Sequence, residues 1–452
     1  MNPILLTGGR VIDPANALDG QYDLLVRDSE IAAVERAGTR MNSLDATVVQ
    51  MSGCWIVPGL VDPHVHLRDP GFPEKETILT GLRAAAAGGF TTVAAMANTS
   101  PVNDSPAVTR YMLERAKEAH CAGLVPVSAV TRALGGIEPV DFAAMADAGA
   151  RLFSDDGIPI DDAAVLSRAL DETRRLGYAI ALHEEDRGLS CGGALNAGAA
   201  SKHLGVSGYP DSAEWQRVRR DLAIAIGSGA PVHVAHVSTA ESLELVRAAR
   251  RRYAQVTCEA TPHHFTLDEG AALTWGPNAK MNPPLRSRED VEALRAAISD
   301  GTVDMIATDH APHDPKSKRM EQLGAFFGPG RQAARLEHDA AELFAHAANG
   351  VVGLETSLGL ALGLVHQSLI EPARLVELMS LNPAALLRLR AGTLSVGAAA
   401  DITVIDPNLE WTVAPDKFLS KSRNTPFAGM RLKGRAVMTI VAGEIVFDAR
   451  KA

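Results

Sequence analysis

The hydrophobic pattern of the chain changes rhythm twice. From residue 1 to about 55, short apolar runs at 4–6, 23–26 and 31–34 are separated by Gly, Asp and Asn turns, the pattern of small strands. Comparable runs return at 401–406, 437–441 and 444–447. Either set alone would leave an apolar face uncovered, so residues 1–55 and 391–452 are expected to form one small β-sandwich together. Between them, residues 56–390 repeat strand, loop and helix. Apolar runs at 56–61, 91–96, 124–130, 151–153, 178–182, 232–235, 256–259 and 303–307 read as strands. Helix-like segments at 108–119, 140–148, 161–176, 213–228, 239–252 and 288–300 lie among them. Eight mostly apolar strands of this kind predict a (β/α)8 barrel of the TIM type, with buried parallel strands. A doubly wound open sheet is the competing arrangement. The sequence holds neither a G-x-G-x-x-G fingerprint nor a Walker loop that would support it through nucleotide binding.

In a barrel the reactive side chains sit where the strands end. The first strand runs into Pro63-His-Val-His-Leu-Arg68. Alternate residues of a strand share a face, so His64 and His66 point the same way, and two neutral imidazoles suit a divalent cation such as zinc. Other strands end in Asp155-Asp156, in His183, in His233 and His236, and in Asp309 flanked by histidines. A lone histidine in such a place is commonly structural. Five strands ending alike argue for a shared site, in which four histidines and two aspartates would hold two metal ions and a bridging hydroxide.

Composition narrows the partners. The 452 residues are 46% hydrophobic and 22% charged, as in a soluble globular protein. A net charge of −10 argues against nucleic acid or an anionic membrane as the main partner, and no stretch approaches the roughly 18 apolar residues of a membrane span. Four scattered cysteines and the absence of a signal-like N-terminus fit a cytoplasmic location.

Five segments carry a family resemblance: Pro63-His-Val-His-Leu-Arg-Asp-Pro-Gly71, Phe153-Ser-Asp-Asp-Gly157, Thr261-Pro-His-His-Phe265, Met281-Asn-Pro-Pro-Leu-Arg286 and Ala307-Thr-Asp-His-Ala-Pro-His313. Together they resemble the class I dihydroorotases of the amidohydrolase superfamily. The H-x-H and Thr-Asp-His elements specify only the superfamily, whereas His-Leu-Arg-Asp-Pro-Gly with Asn-Pro-Pro-Leu-Arg is more specific. The resemblance implies reversible cyclisation of N-carbamoyl-L-aspartate to dihydroorotate in de novo pyrimidine (UMP) biosynthesis. It implies two Zn2+ per chain, one held by His64, His66 and Asp309, the other by His183 and His236, with Asp156 bridging. Asp155 is the alternative bridging carboxylate. Hydantoinase-like and allantoinase-like relatives place a carboxylated lysine at the bridge, and no lysine occurs between Lys117 and Lys202. Asp309 is the implied general base and then acid. Arg68, Asn98, Asn282 and His313 are the implied substrate contacts, Arg68 for the substrate carboxylate. His263 and His264 are expected to be supporting or structural. A homodimer and association with aspartate carbamoyltransferase are assemblies the resemblance allows.

The match weakens after His313. Family members carry a Pro-Phe-Gly-like segment where this chain has Ala348-Asn349-Gly350. Residues 314–350 are expected to form a lid, with an added helix at 335–348. The competing activities are an allantoinase-like or hydantoinase-like hydrolase, and a non-catalytic dihydroorotase-like subunit.

Overall fold

A computed structural model describes residues 2–39, 45–253, 255–319 and 339–451. Its central layer is a parallel sheet of eight strands in sequence order. They are β1 Leu60–Val65, β2 Phe90–Ala95, β3 Gly123–Ser128, β4 Leu152–Phe153, β5 Ile180–Leu182, β6 Val232–Val234, β7 Val256–Ala260 and β8 Met305–Ile306. Just past β8 the chain returns to β1. Val65 pairs in parallel with His310, and the His66 amide donates to the His310 carbonyl at 2.8 Å. That closure makes the sheet a barrel and excludes the open, doubly wound alternative.

The expected opening strand at 56–61 is divided. Trp55–Pro58 pairs antiparallel with Ile402–Thr412 and parallel with Arg10–Asp13, so it belongs to the terminal sheet. β1 begins only at Leu60. Gly59 lies so close to Thr91 that a β-carbon would overlap it, and its amide donates to the Asp401 carbonyl at 2.8 Å. An apolar run therefore serves two sheets, with a glycine at the step between them.

Both chain ends build that second sheet. The long strand Leu18–Arg27 pairs first with Arg10–Asp13 and further along with Ile4–Thr7 and Glu30–Arg36. Ile4, Leu6, Leu24 and Val26 from one part and Ile56, Ile402, Val404 and Met438 from the other enclose one apolar core, the sandwich expected from the pattern.

Helices follow the barrel strands and start on side-chain caps. Asp162 caps Ala163–Leu176, Thr239 caps Ala240–Arg252 and Ser287 caps Arg288–Ser299, each accepting a backbone N–H of the first turn. Helix Ile78–Gly88 was not apparent from periodicity, because most of its residues are apolar and buried. It lies between barrel and sandwich, where Thr439 Oγ1 donates to the Ala86 carbonyl at 2.7 Å. Asp339–His346 is helical, within the expected 335–348; residues 320–338, the middle of the expected lid, lie outside the described residues.

Candidate metal centre and substrate cavity

The expected strand-end residues converge on one side of the barrel. His64 and His66 alternate at the end of β1, and Asp156 follows β4. His183 follows β5, His236 follows β6 and Asp309 follows β8. Asp156 stands at the centre. Its Oδ1 lies 3.5 Å from His64 Nε2, 3.4 Å from His183 Nδ1 and 3.4 Å from His236 Nε2, and its Oδ2 lies 3.4 Å from His66 Nε2. Asp309 Oδ1 is 3.1 Å from His66 Nε2 and 3.7 Å from His64 Nε2. The donors fall into two overlapping groups, His64–His66–Asp156 and Asp156–His183–His236, each compact enough to hold a metal ion.

All six residues are buried, which opposes charge on each of them. Even so, the surrounding imidazoles hold the carboxyls of Asp156 and Asp309 well below the usual carboxylate range, and Asp156 and Glu259 push His64 well above the usual imidazole value. His64 Nε2 has no hydrogen-bond partner although it is buried. A buried ring nitrogen without a partner, among other imidazoles and carboxylates, fits a first-row divalent cation, which would take the place of a proton there.

Asp155 is engaged elsewhere. Its carboxylate accepts from the amides of Val130 and Thr131 at 2.7 and 3.0 Å and from the Thr131 hydroxyl, pinning the end of β3. Successive residues after a strand point to opposite sides, and here Asp156 is the one that faces the histidines. His310 likewise turns away, towards Glu76 and the Gly353 amide. His264 bridges Thr261 and the Pro283 carbonyl, and burial holds it down to about 4, a structural role.

A cavity of about 220 Å³ opens onto the cluster and is lined also by Arg68, Asn98, Asn282, His313, Asn349 and Gly350. Asn98 Oδ1 faces His66 Nδ1 at 2.9 Å, so the asparagine orients a histidine of the cluster as well as lining the cavity. Asn282 Nδ2 donates to Glu185 at 3.0 Å, and its buried Oδ1 has no partner. Arg68 is half-buried, and desolvation lowers its value to about 10, so the guanidinium keeps its charge at neutral pH. Three of these residues, Arg68, His236 and Asp309, adopt φ of +60°, +33° and +46°, a conformation non-glycine residues avoid and that local sequence does not announce.

Two further carboxylates, Glu259 and Glu185, touch histidines of this region. Glu259 is a charged residue inside the apolar strand β7, and that irregularity is the signal that could have marked it. Glu185 follows His183 with no comparable signal.

Residues 53–242 match the family described as dihydro-orotase-like. A dihydroorotase of Syntrophotalea carbinolica is 45% identical over 98% of this chain and 99% of its own. One of Syntrophus aciditrophicus is 46% identical over 98% and 99%. Among solved structures, the L-hydantoinase (dihydropyrimidinase) of Arthrobacter aurescens superposes with a TM-score of 0.84 at 25% identity, covering 99% of this chain and 96% of that one. A D-hydantoinase of a Thermus species gives 0.80 at 23% identity over 98% and 95%, a likeness of fold.

Proposed function

Because the chain belongs to the dihydroorotase family, we propose that it interconverts N-carbamoyl-L-aspartate and dihydroorotate, a step of pyrimidine synthesis. The observation that carries this reading is the half-buried, charged guanidinium of Arg68 on the wall of the cavity that holds the histidine–aspartate cluster. Dihydroorotate is a cyclic amide bearing a carboxylate. It needs one fixed cation for that group and a hydrolytic centre a ring's width away, whereas hydantoin and allantoin bear no carboxylate.

His64, His66 and Asp309 would hold one divalent ion and His183 and His236 the other, with Asp156 between them; zinc suits this nitrogen and oxygen set, and manganese and cobalt are the alternatives. When bound, the ions would acidify a water and polarise the ring carbonyl that it attacks. Asp309 takes a proton from the attacking water and delivers it to the ring nitrogen as the C–N bond breaks. The water oxygen remains on the carbon as part of the new carboxylate, whose ionisation releases the second proton. Arg68 holds the existing carboxylate through its planar fork, and Asn98, Asn282 and His313 orient the ring.

Among the described residues no helix is long and apolar enough to cross a membrane. A cytoplasmic enzyme acting on a small molecule is consistent with that, and the same reading allows a homodimer and association with aspartate carbamoyltransferase. Turnover of dihydroorotate, hydantoin and allantoin by zinc-reconstituted protein tests the reading. The expected result is ring opening of dihydroorotate alone, reduced by about 10²–10⁴-fold in Asp309→Asn. Turnover of hydantoin or allantoin instead would overturn the substrate, and zinc binding without turnover of any of the three would favour a non-catalytic subunit.

A further inference from the structure

We propose that Glu259 is the positioning residue that aligns one histidine from each half of the metal cluster at once. The inference rests on the two-metal reading above and adds a residue to it. Glu259 lies in β7, 1% exposed, and uses both carboxylate oxygens. Oε1 is 2.7 Å from His64 Nδ1 and 3.3 Å from the amide nitrogen of His236. Oε2 is 3.0 Å from His233 Nε2, and His233 Nδ1 in turn is 2.9 Å from Thr257 Oγ1.

The carboxylate already accepts the His236 amide, and an ionised carboxylate only accepts hydrogen bonds. His64 Nδ1 must therefore carry a ring proton, so Nε2 is the nitrogen that can give up its proton and take a cation. That is the buried atom without a partner, 3.5 Å from Asp156 and 3.7 Å from Asp309. Glu259 thus settles which nitrogen of His64 is free to bind a cation. The same oxygen holds the backbone of His236, whose φ of +33° needs support from its surroundings. His64 belongs to one group of donors and His236 to the other, so a single carboxylate spans both. His233, which lies within β6 and has no role in the reaction, supplies the third hydrogen bond and keeps the carboxylate from rotating.

The test is Glu259→Gln, compared with wild type and with Thr257→Val, which removes only the far partner of His233. Metal-free proteins are titrated with Zn2+ in competition with a chromophoric chelator, and Co2+-loaded proteins are compared by visible absorption. Glu259→Gln should weaken binding of both ions by about 10–100-fold and change the Co2+ spectrum, because its amide nitrogen opposes a donor. Thr257→Val should leave both affinities within about threefold. Wild-type affinities for both ions in Glu259→Gln, with only thermal stability lost, would reduce Glu259 to a structural group. If the variant does not fold, nitrogen-15 histidine spectra of zinc-loaded wild type decide: a proton on His64 Nδ1 supports the assignment and one on Nε2 overturns it. Failure of wild type to bind any divalent metal would defeat the two-metal reading itself.

Discussion

Arg68 Nη2 and His313 Nε2 stand 3.3 Å apart on one wall of the cavity, and only the arginine is charged. His313 Nε2 lies closer, at 2.7 Å, to the Asn349 carbonyl, to which it donates. Burial, with Arg68, Lys318 and Lys75 nearby, holds the imidazole down to about 2, so it is neutral at any working pH. Its Nδ1 is then a buried acceptor without a partner, suited to a ring N–H of the substrate.

On the proposed function, the Arg68 guanidinium is the cation for the substrate carboxylate. Arg68→Lys keeps the charge and loses the fork, and a lysine ammonium on this positive-φ backbone cannot make two parallel hydrogen bonds. KM for dihydroorotate should rise by about 10–100-fold, equivalent to roughly 1.5–3 kcal/mol, with a smaller change in kcat. Steady-state kinetics would show it, and an unchanged KM would remove Arg68 from carboxylate binding.

Gly350 closes the same wall. It has φ +134°, a β-carbon would sit 2.5 Å from Ala311 Cβ and 2.8 Å from the Ala311 carbonyl oxygen, and its amide donates to the Lys280 carbonyl at 2.9 Å. Gly350→Ala should push residues 348–350 off Ala311 and break the His313–Asn349 hydrogen bond. Expected are a loss of about 1–3 kcal/mol in urea unfolding and a higher KM. Wild-type values for both would mean that this wall yields freely.

Glu355 offers a pH test away from the cluster. Its carboxylate accepts from the amides of Leu419 at 2.9 Å and Ser420 at 3.1 Å, yet burial raises it to about 7. An unfolded glutamate ionises near about 4.3. The folded state therefore holds its proton more tightly, and the contribution to stability is fully present below about 4.3 and is lost as pH rises through about 7. Glu355→Gln cannot ionise. Its thermal midpoint should gain on that of wild type by a few degrees between pH 5 and 8. Parallel curves would show that the acid is not buried in solution as it is in the structure.

The local order of residues carried much of this site. The alternation of His64 and His66, the spacing of apolar strands and the polar residues at strand ends depend on period-two geometry, which any strand imposes. The two-ended sandwich was also legible, since unpaired apolar faces at both termini had to meet. Helix Ile78–Gly88 is hidden because apolar residues occupy most of its surface and blur the periodicity by which a surface helix is read.

What the sequence determined by itself was the inventory: which strands carry ligand-type residues, and the absence of a lysine at the bridge. Only the tertiary structure decided between neighbours. Asp156 faces the histidines while Asp155 pins β3, and the opening apolar run divides at Gly59 because Thr91 leaves no room for a side chain. Glu259 reaches His64 from β7, far along the chain but adjacent to it across the closed barrel. Side-chain alternation is set within a few residues, whereas hydrogen bonds between strands depend on closure of the barrel, which no local stretch contains.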